Sequence, residues 1–500
     1  MLKNLTIQIS RFTDGKMRFN SNLDYFLFSL IILGILFQAT ILFIPAGFNS
    51  DAAATSLLAH DIISQKRWIF FSSSAHTEKS LIFPISPITP LVLIFLIFGF
   101  VDWGVRLTII IYNLLSAFFL YKLTGLWFNE KTARISLVLF LFSPWVVEQF
   151  NLWVPTAFLF TVMPIYVHQM ALKDKRYLPM AYSLLGLSFY FFSTAKIVVS
   201  FYLLLYLFFN PRRFSEKSNI VSFVLFILVI LPWLLFTFSS SQKEIIFRPE
   251  PASFSLEFFI SLIYLLVFIT PFLLVAFYHT FDILKRIVLE KKFDFVNVFL
   301  SGWLLSVFFA IYLATPYLRP RVIYYSAPAF IILSSWVYSR VSRENIYTAL
   351  AAFALSGIII HATLSLDKHA IMPMGYEYGL DRVTRYLLSR DDVGWIYTDL
   401  RMDKQILFYS QRRLPLMETR YPLMDSPTFP WLDYRSDVNI STGCYYYSFW
   451  ANLERAYLKP DDSLLSEDHF LRIHNGSSPV YSVDYPWGDR AINVYRICND

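Results

Sequence analysis

Long apolar runs, separated by short polar and basic connections, extend along the chain as far as about residue 365. A transmembrane helix needs roughly 17 to 25 mainly apolar residues, and this criterion predicts about eleven spans here. We place them near 25–46, 105–125, 133–148, 155–172, 178–194, 197–210, 219–238, 255–279, 295–315, 322–339 and 346–364. The pattern therefore predicts an all-α polytopic membrane protein.

Composition supports this class. Hydrophobic residues make up 56% of the chain and charged residues 16%, whereas a soluble domain carries about 25% charged residues. The mean hydropathy is +0.50. The formal net charge of +7 comes from short basic clusters between the apolar runs, so membrane topology explains it and no nucleic-acid partner is expected.

The basic clusters fix the predicted orientation. They lie at 122–134, 173–176, 212–217, 285–292 and 340–343, all on the same side as the basic N-terminus. The positive-inside rule places residues 1–24 and these loops in the cytoplasm. A crossing by the apolar run 81–101 would put the N-terminus and the later loops on opposite sides. We therefore interpret that run as a juxtamembrane or re-entrant helix on the outer face, and the prolines Pro84, Pro87 and Pro90 favour this interpretation.

The same reasoning makes the segment 181–210 a hairpin that crosses twice and turns near Ser193-Thr194-Ala195-Lys196. With an odd number of crossings, residues 366–500 form a small extracytoplasmic α/β domain, after a transmembrane domain at 25–365 whose outer catalytic loop is 47–104. The polar and apolar alternation predicts one helix and three strands in this domain. The helix is expected at 377–390 and the strands at 394–400, near Val438 and at 491–497.

The only two cysteines, Cys444 and Cys498, fall in this outer domain. An extracytoplasmic compartment permits a disulfide between them. Two buried free thiols are the alternative.

The outward-facing segments hold the polar residues with chemical potential. Asp51 follows the first span directly, where a carboxylate is in reach of both a lipid-borne and an aqueous substrate. Outer cations could hold a phosphate while a carboxylate takes a proton from a nucleophile. The candidate cations are Lys79, Lys196, Arg248 and Arg321, and the further carboxylates are Glu78 and Glu148. No phosphate-binding Walker loop, dinucleotide fingerprint or zinc-type Cys/His spacing occurs in the sequence.

Several short motifs resemble one family. Asn49-Ser50-Asp51-Ala52-Ala53, running into Leu57-Leu58-Ala59-His60-Asp61 and Trp68, looks like the first outer loop of GT-C glycosyltransferases, most similar to the protein mannosyltransferase and lipid A aminoarabinose transferase branch. Thr77-Glu78-Lys79 resembles that branch's Glu-Lys pair, and Ser193-Thr194-Ala195-Lys196 its Thr-Lys turn. Arg319-Pro320-Arg321 with Tyr324-Tyr325 resembles its Arg-Tyr segment.

The resemblance implies an inverting transfer of a sugar from a polyprenyl-phosphate donor to a lipid, glycan or protein acceptor on the outer membrane face. Asp51 would be the general base, and Lys79, Lys196, Arg248 and Arg321 would bind the donor phosphate. The sequence departs from the family at two points. Glu148 stands where the second outer loop usually supplies an Asp, and Glu78-Lys79 is followed by Ser80 without the usual proline. Glu148 is retained as a second catalytic carboxylate and Glu78 as a ligand of a divalent metal.

Other interpretations stay open on the sequence alone. Asp51 could act as the N-cap of the following helix. Lys196 and Arg321 could be interfacial side chains at span ends, and Lys79 and Arg248 could be solvated loop residues. His60 and His76 are expected to be structural or solvated. A lipid or solute transporter would show charges within broken spans and paired repeats, whereas this sequence has few charges within its predicted spans and no detectable repeat. A non-catalytic envelope-assembly protein is the third interpretation.

Overall fold

The structure is a computed structural model. It describes residues 22–43, 50–66, 71–73, 79–81, 88–143, 153–191, 193–239, 294–314, 326–340, 343–366, 379–398, 402–411, 416–418, 444–450, 476–484 and 490–498, together with isolated positions within 278–289, at 414, within 467–474 and at 488.

The amino-terminal region is helical apart from one small hairpin. Its described helices are α1 (Asn22–Ala39), α2 (Ser50–Ser64), α3 (Ile88–Phe98), α4 (Asp102–Trp127), α5 (Glu130–Leu141), α6 (Trp153–Ala171), α7 (Leu178–Leu187), α8 (Ser193–Phe209), α9 (Pro211–Phe214), α10 (Lys217–Ser239), α11 (Phe295–Ala314), α12 (Ala327–Tyr338) and α13 (Arg343–Leu366). The hairpin pairs β1 (Phe71–Ser73) antiparallel with β2 (Lys79–Leu81). Helices therefore occupy most of the predicted spans that fall on described residues.

Three of the described helices are long and apolar enough to cross a membrane: Asn22–Ala39, Asp102–Trp127 and Lys217–Leu235. Several other apolar helices are shorter. The predicted span 255–279 lies almost entirely outside the described residues. The figure of about eleven crossings therefore stays a prediction.

Helix α3 covers the second half of the apolar run 81–101 and has 11 residues. Residues 82–87 lie outside the described part of the chain, so the interpretation of this run as an outer helix that does not cross stays a prediction.

The hairpin at 181–210 turns slightly earlier than the sequence predicts. A 3-10 turn at Ser188–Tyr190 follows α7, and α8 begins at Ser193. Ser193 to Lys196 are thus the first turn of α8 and not the connection itself. The small hydroxyl residues Ser193 and Thr194 are typical of a helix start.

Two local features hold helices of the apolar bundle close together: hydrogen bonds of Gln38 and a close contact at Gly357. Within the apolar bundle, Gln38 donates to the Leu141 carbonyl at 2.8 Å and accepts from Asn113 at 3.1 Å. A Cβ on Gly357 of α13 would lie 2.2 Å from the Phe142 carbonyl oxygen. Glycine at 357 is therefore what lets α13 approach the end of α5 this closely.

A separate apolar cluster surrounds α2. Buried side chains of α2, α3 and α4 pack together there with a helix of the carboxyl-terminal region, α15 (Met402–Ser410), which contributes Leu407 and Phe408. The rings of Phe408 and Phe100 lie 4.3 Å apart, and that of Phe100 also packs edge-on against His60 at 4.8 Å. Residues far apart in the chain thus fix the position of α2.

The carboxyl-terminal region contains a mixed five-stranded sheet. After α14 (Leu380–Leu388), its strands are β3 (Val393–Thr398), β4 (Leu416–Glu418), β5 (Cys444–Trp450), β6 (Tyr481–Asp484) and β7 (Arg490–Cys498), in the order β4-β3-β5-β7-β6. β3 pairs parallel with β4 and β5, and β7 pairs antiparallel with β5 and β6. The helix expected at 377–390 and the strands expected at 394–400 and 491–497 are present with slightly different bounds. The strand expected near Val438 lies outside the described residues.

The structure chooses between the two interpretations of the cysteines. Cys444 and Cys498 stand opposite each other in the β5–β7 ladder and form a disulfide. The bond links the two strands at the end of the sheet where β5 begins and β7 ends.

Candidate active site

Asp51 is the second residue of α2, which begins at Ser50. These bounds place Asp51 in the first turn of α2. A carboxylate in the first turn is favoured by the helix dipole. The following residues Ala52 and Ala53 are fully buried, so the start of α2 is held against the apolar cluster around it.

Of the other predicted site residues, Lys79 is described by its backbone, which begins β2 and pairs with Ser73 of β1. Four predicted site residues lie outside the described residues: Glu78, Glu148, Arg248 and Arg321. The convergence of these groups around Asp51 therefore stays a prediction.

Lys196 is the predicted site residue whose side chain is described. It lies in the first turn of α8, and its Nζ is 4.5 Å from the centroid of the Trp233 ring of α10. A cation over the face of an indole ring is attracted by the ring quadrupole. The positive end of the α8 dipole acts in the opposite sense and disfavours a cation in this turn. Lysine and helix end together form an electropositive point that an anion would stabilise.

The turn before α8 is rigidly packed. Tyr190 donates its hydroxyl hydrogen to the Val229 carbonyl at 2.6 Å, and Ser188 donates to the Phe160 carbonyl at 2.5 Å. The rings of Phe160 and Phe191 stack at 3.6 Å. These contacts tie the turn to α6 and α10 and so fix the position from which Lys196 projects.

Arg106 is a buried cation that the sequence analysis did not single out. It is 7% exposed. Its Nη1 donates to the Leu42 carbonyl at 3.3 Å, and its Nη2 lies 3.8 Å from Oδ2 of Asp102. Leu42 belongs to the 3-10 turn Thr40–Phe43 that follows α1. Arg106 thus ties α4 to this turn. The spacing Asp102–Arg106, one helical turn, was the available sequence signal.

His60 agrees with the structural role expected for it. Its ring packs on Phe100, and its Nδ1 lies 3.7 Å from Oδ1 of Asp61, which is 7% exposed. The other histidine of the first outer loop, His76, lies outside the described residues.

Among the described residues, one group of side chains has the spacing of a metal site, but its chemistry is unsuitable for a metal. Asp392, Cys444 and Cys498 have their donor atoms within 4.8 Å of one another. The two sulfurs are joined in a disulfide, whereas a metal binds the thiolate. Asp392 already accepts a hydrogen bond from Tyr446 at 2.8 Å and pairs with Arg496. This group does not fit a metal, and the expected metal ligand Glu78 is not among the described residues.

The comparison with protein families gives one match. A profile described as dolichyl-phosphate-mannose-protein mannosyltransferase matches residues 88–236, from α3 to within α10. No curated protein sequence matches the chain.

Solved structures are similar over a larger part of the chain. ArnT from Cupriavidus metallidurans has a TM-score of 0.61 in the apo state and 0.58 bound to undecaprenyl phosphate. Both comparisons have 14% identity and cover 93% of this chain and 97% of ArnT. The oligosaccharyltransferase of Archaeoglobus fulgidus, solved with a tethered acceptor peptide, has a TM-score of 0.53 at 12% identity and covers 78% of this chain and 64% of its own. At such identities the similarity concerns the fold.

The family match lies in the helical region that follows the first outer loop, and the fold shared with ArnT extends over almost the whole chain. Together they confirm the resemblance to the GT-C glycosyltransferases of the mannosyltransferase and aminoarabinose transferase branch that the short motifs predict.

Proposed function

We propose that the protein is an integral membrane glycosyltransferase of the inverting type, which moves a sugar from a polyprenyl-phosphate donor to a lipid, glycan or protein acceptor on the outer membrane face. The observation that carries the proposal is the position of Asp51 in the first turn of α2, shortly after the first span, in a chain whose fold matches ArnT over 93% of its length. ArnT has been solved with undecaprenyl phosphate bound, which supports a lipid-linked donor.

In the proposed reaction the Asp51 carboxylate takes the proton from the acceptor hydroxyl or amine. The freed lone pair attacks the anomeric carbon of the sugar, and the bond from that carbon to the phosphate oxygen breaks. The electron pair of that bond leaves with the polyprenyl phosphate. A single displacement of this kind inverts the anomeric centre.

The charge that develops on the departing phosphate is stabilised by cations. Lys196 supplies a point charge next to the start of α8, and Lys79, Arg248 and Arg321 are assigned the same role from the sequence. Arginine binds two phosphate oxygens at once, whereas lysine acts as a single charge. Glu148 is assigned as a second catalytic carboxylate. No step of this mechanism requires a metal.

The test is mass spectrometry of the polyprenyl-phosphate-sugar pool and of the surface glycans in cells that lack the protein. The cells are complemented with the wild type, with Asp51→Asn or with the control Asp174→Asn. Asp174 is an acid of a predicted cytoplasmic loop that pairs with the neighbouring Arg176. We expect one lipid-linked sugar to accumulate, and one glycan to lose that sugar, in the deletion and in Asp51→Asn alone.

Equal membrane levels of the three complementing proteins exclude an effect of expression. If Asp51→Asn restores both pools as fully as the wild type does, Asp51 is not the base. The transporter and assembly interpretations then take precedence. Accumulation of the lipid-linked sugar with Asp174→Asn as well would show that any lost carboxylate disturbs the protein.

A further inference from the structure

A polar cavity lies near the end of α8 that is remote from Lys196. Its volume is about 220 Å³, and it opens between the ends of α6 and α8 and the starts of α7 and α10. Because a helix rises 1.5 Å per residue, Tyr206 in its lining stands about 15 Å along α8 from Lys196. The cavity is therefore separate from the candidate active site.

Hydrogen bonds and an ion pair hold the residues that line this cavity in place. The buried Asn219 donates its amide hydrogen to the Arg213 carbonyl at 2.8 Å and accepts from the Tyr182 hydroxyl at 3.4 Å. Lys175 and Glu216 form an ion pair of 2.6 Å across the two loops. The short helix α9, which carries Arg213, is thus held in place before any ligand arrives.

One buried donor in the lining lacks an acceptor. Tyr206 is 1% exposed, and its hydroxyl has no hydrogen-bond partner among the described residues. A buried hydroxyl without a partner costs free energy, so a ligand that accepts from Tyr206 recovers that cost on binding.

The charges of the lining favour an anion. Lys175 and Arg213 outnumber Glu216, whose carboxylate is already engaged by Lys175. Within the described part of the chain, no ion pair is formed by the Arg213 guanidinium. A phosphate group offers several acceptor oxygens to donors that surround it, and arginine binds such oxygens in pairs.

The size and surroundings of the cavity suggest what carries the phosphate. Pockets for drug-sized ligands have volumes of about 300–1,000 Å³, so this cavity suits a headgroup. Leu172 and Leu178 supply an apolar wall. On the opposite side of α8, Leu204 and Phe208 are 64% and 76% exposed, as expected for a helix that contacts lipid tails. We propose that this cavity binds the phosphate of an anionic lipid headgroup.

The test measures binding by the full-length protein in detergent. The probes are phosphatidylglycerol, phosphatidylcholine and, as a soluble source of the same chemistry, glycerol 1-phosphate. We expect phosphatidylglycerol to bind and to raise the Tm, with weaker binding of phosphatidylcholine and of glycerol 1-phosphate. Arg213→Gln should weaken phosphatidylglycerol binding about tenfold or more, and Tyr206→Phe about fivefold.

Two controls distinguish binding in this cavity from attraction of the lipid by general surface charge. Arg212 is exposed like Arg213 but is not part of the lining, so Arg212→Gln should bind phosphatidylglycerol like the wild type. Tyr206→Phe removes a hydroxyl that has no hydrogen-bond partner among the described residues, and it should not lower the Tm of the lipid-free protein. A lower Tm would show that the hydroxyl is engaged within the protein and would overturn the proposal.

Three further outcomes of these binding measurements also test the proposal. Equal weakening by Arg212→Gln and Arg213→Gln, or phosphatidylglycerol binding that Tyr206→Phe does not change, overturns the proposal in favour of unspecific attraction. Glycerol 1-phosphate that binds as tightly as phosphatidylglycerol, with the same dependence on Arg213 and Tyr206, supports the phosphate site and assigns it a soluble ligand.

Discussion

The ammonium group of Lys196 and the ring of Trp233 are in cation–π contact, with Nζ 4.5 Å from the ring centroid. Trp233 is itself held edge-on by Phe189, at 5.5 Å between ring centroids. The contact therefore links the start of α8 directly to α10, and Phe189 joins the turn before α8 to the same tryptophan. It places a lysine where its charge opposes the helix dipole, an arrangement that an anionic ligand would stabilise.

Lys196→Met should slow sugar transfer by about 10²- to 10³-fold, because a charge that stabilises the departing phosphate is lost. Trp233→Leu keeps the charge but removes its support, and a smaller loss of about tenfold is expected. The measurement is the steady-state rate with the purified lipid-linked donor. Lys173→Met, which alters an exposed loop lysine, is the control and should leave the rate unchanged. A Lys196→Met enzyme with the wild-type rate would remove Lys196 from the phosphate site.

The sequence predicts much of the fold because its patterns are local. The apolar runs predict α1, α4 and α10, and the alternation of polar and apolar residues predicts β3 and β7. Sheet order and strand direction are different, since they depend on pairing between distant segments. The position of α15 on α2 also arises from contacts between residues far apart in the chain, which no local pattern contains.

The candidate site could be predicted as a set of residue types and not as a geometry. The motifs single out Asp51 and Lys196, but no pattern in the sequence indicates that Trp233 lies beside Lys196. Arg106 is not a candidate from the sequence because it falls at the start of a predicted span, where a lone arginine is usually interfacial. Its contact with the Leu42 carbonyl forms where α4 packs against the turn that follows α1.

The disulfide between Cys444 and Cys498 should stabilise the carboxyl-terminal sheet. The two residues are separated by 54 positions, and a cross-link of this kind contributes about 2–4 kcal/mol, mainly by restricting the unfolded chain. The double variant Cys444→Ser/Cys498→Ser should therefore lose hydrogen-exchange protection in β5 and β7. α4 should keep its protection and serves as the internal control. Free thiols at both positions in protein that has not been reduced would contradict the pairing.

Asp392 should make the same sheet sensitive to acid. Burial alone would raise the pKa of this carboxyl, but the hydrogen bond from Tyr446 and the charges of Arg496 and Arg390 outweigh burial and hold the pKa below its usual value. A lowered pKa in the folded state means that the stabilisation is complete above the ordinary carboxyl pKa of about 4 and is lost as the pH falls below it.

We therefore expect hydrogen-exchange protection of β5 and β7, corrected for the intrinsic exchange rate, to be constant from pH 6 to pH 5 and to fall below pH 4. In Asp392→Asn the protection should be lower at pH 6 and the further loss below pH 4 smaller. The neighbouring Asp391 is exposed, and Asp391→Asn should follow the wild-type profile. An unchanged profile in Asp392→Asn would show that the Tyr446 and Arg496 contacts do not stabilise the sheet.

Phe408 should control the position of the helix that carries Asp51. Its side chain is 2% exposed and packs against Phe100 at 4.3 Å and Phe95 at 6.5 Å between ring centroids, in the apolar cluster that includes α2. Phe408→Ala opens a cavity there, and such truncations cost about 3–5 kcal/mol. Because the cavity lies between α15 and α2, we expect faster hydrogen exchange in residues 51–64 and a slower transfer rate at an unchanged membrane level.

Phe408→Leu fills most of the same volume and should recover much of the protection and of the rate. Phe208→Ala removes a phenyl group of equal size from a side chain that is 76% exposed and should alter neither. If Phe408→Ala speeds exchange in 402–411 alone and leaves residues 51–64 at the wild-type level, α15 covers α2 without holding it. The start of α2 would then owe its position to α3 and α4, whose buried side chains Leu91 and Val105 face the same cluster.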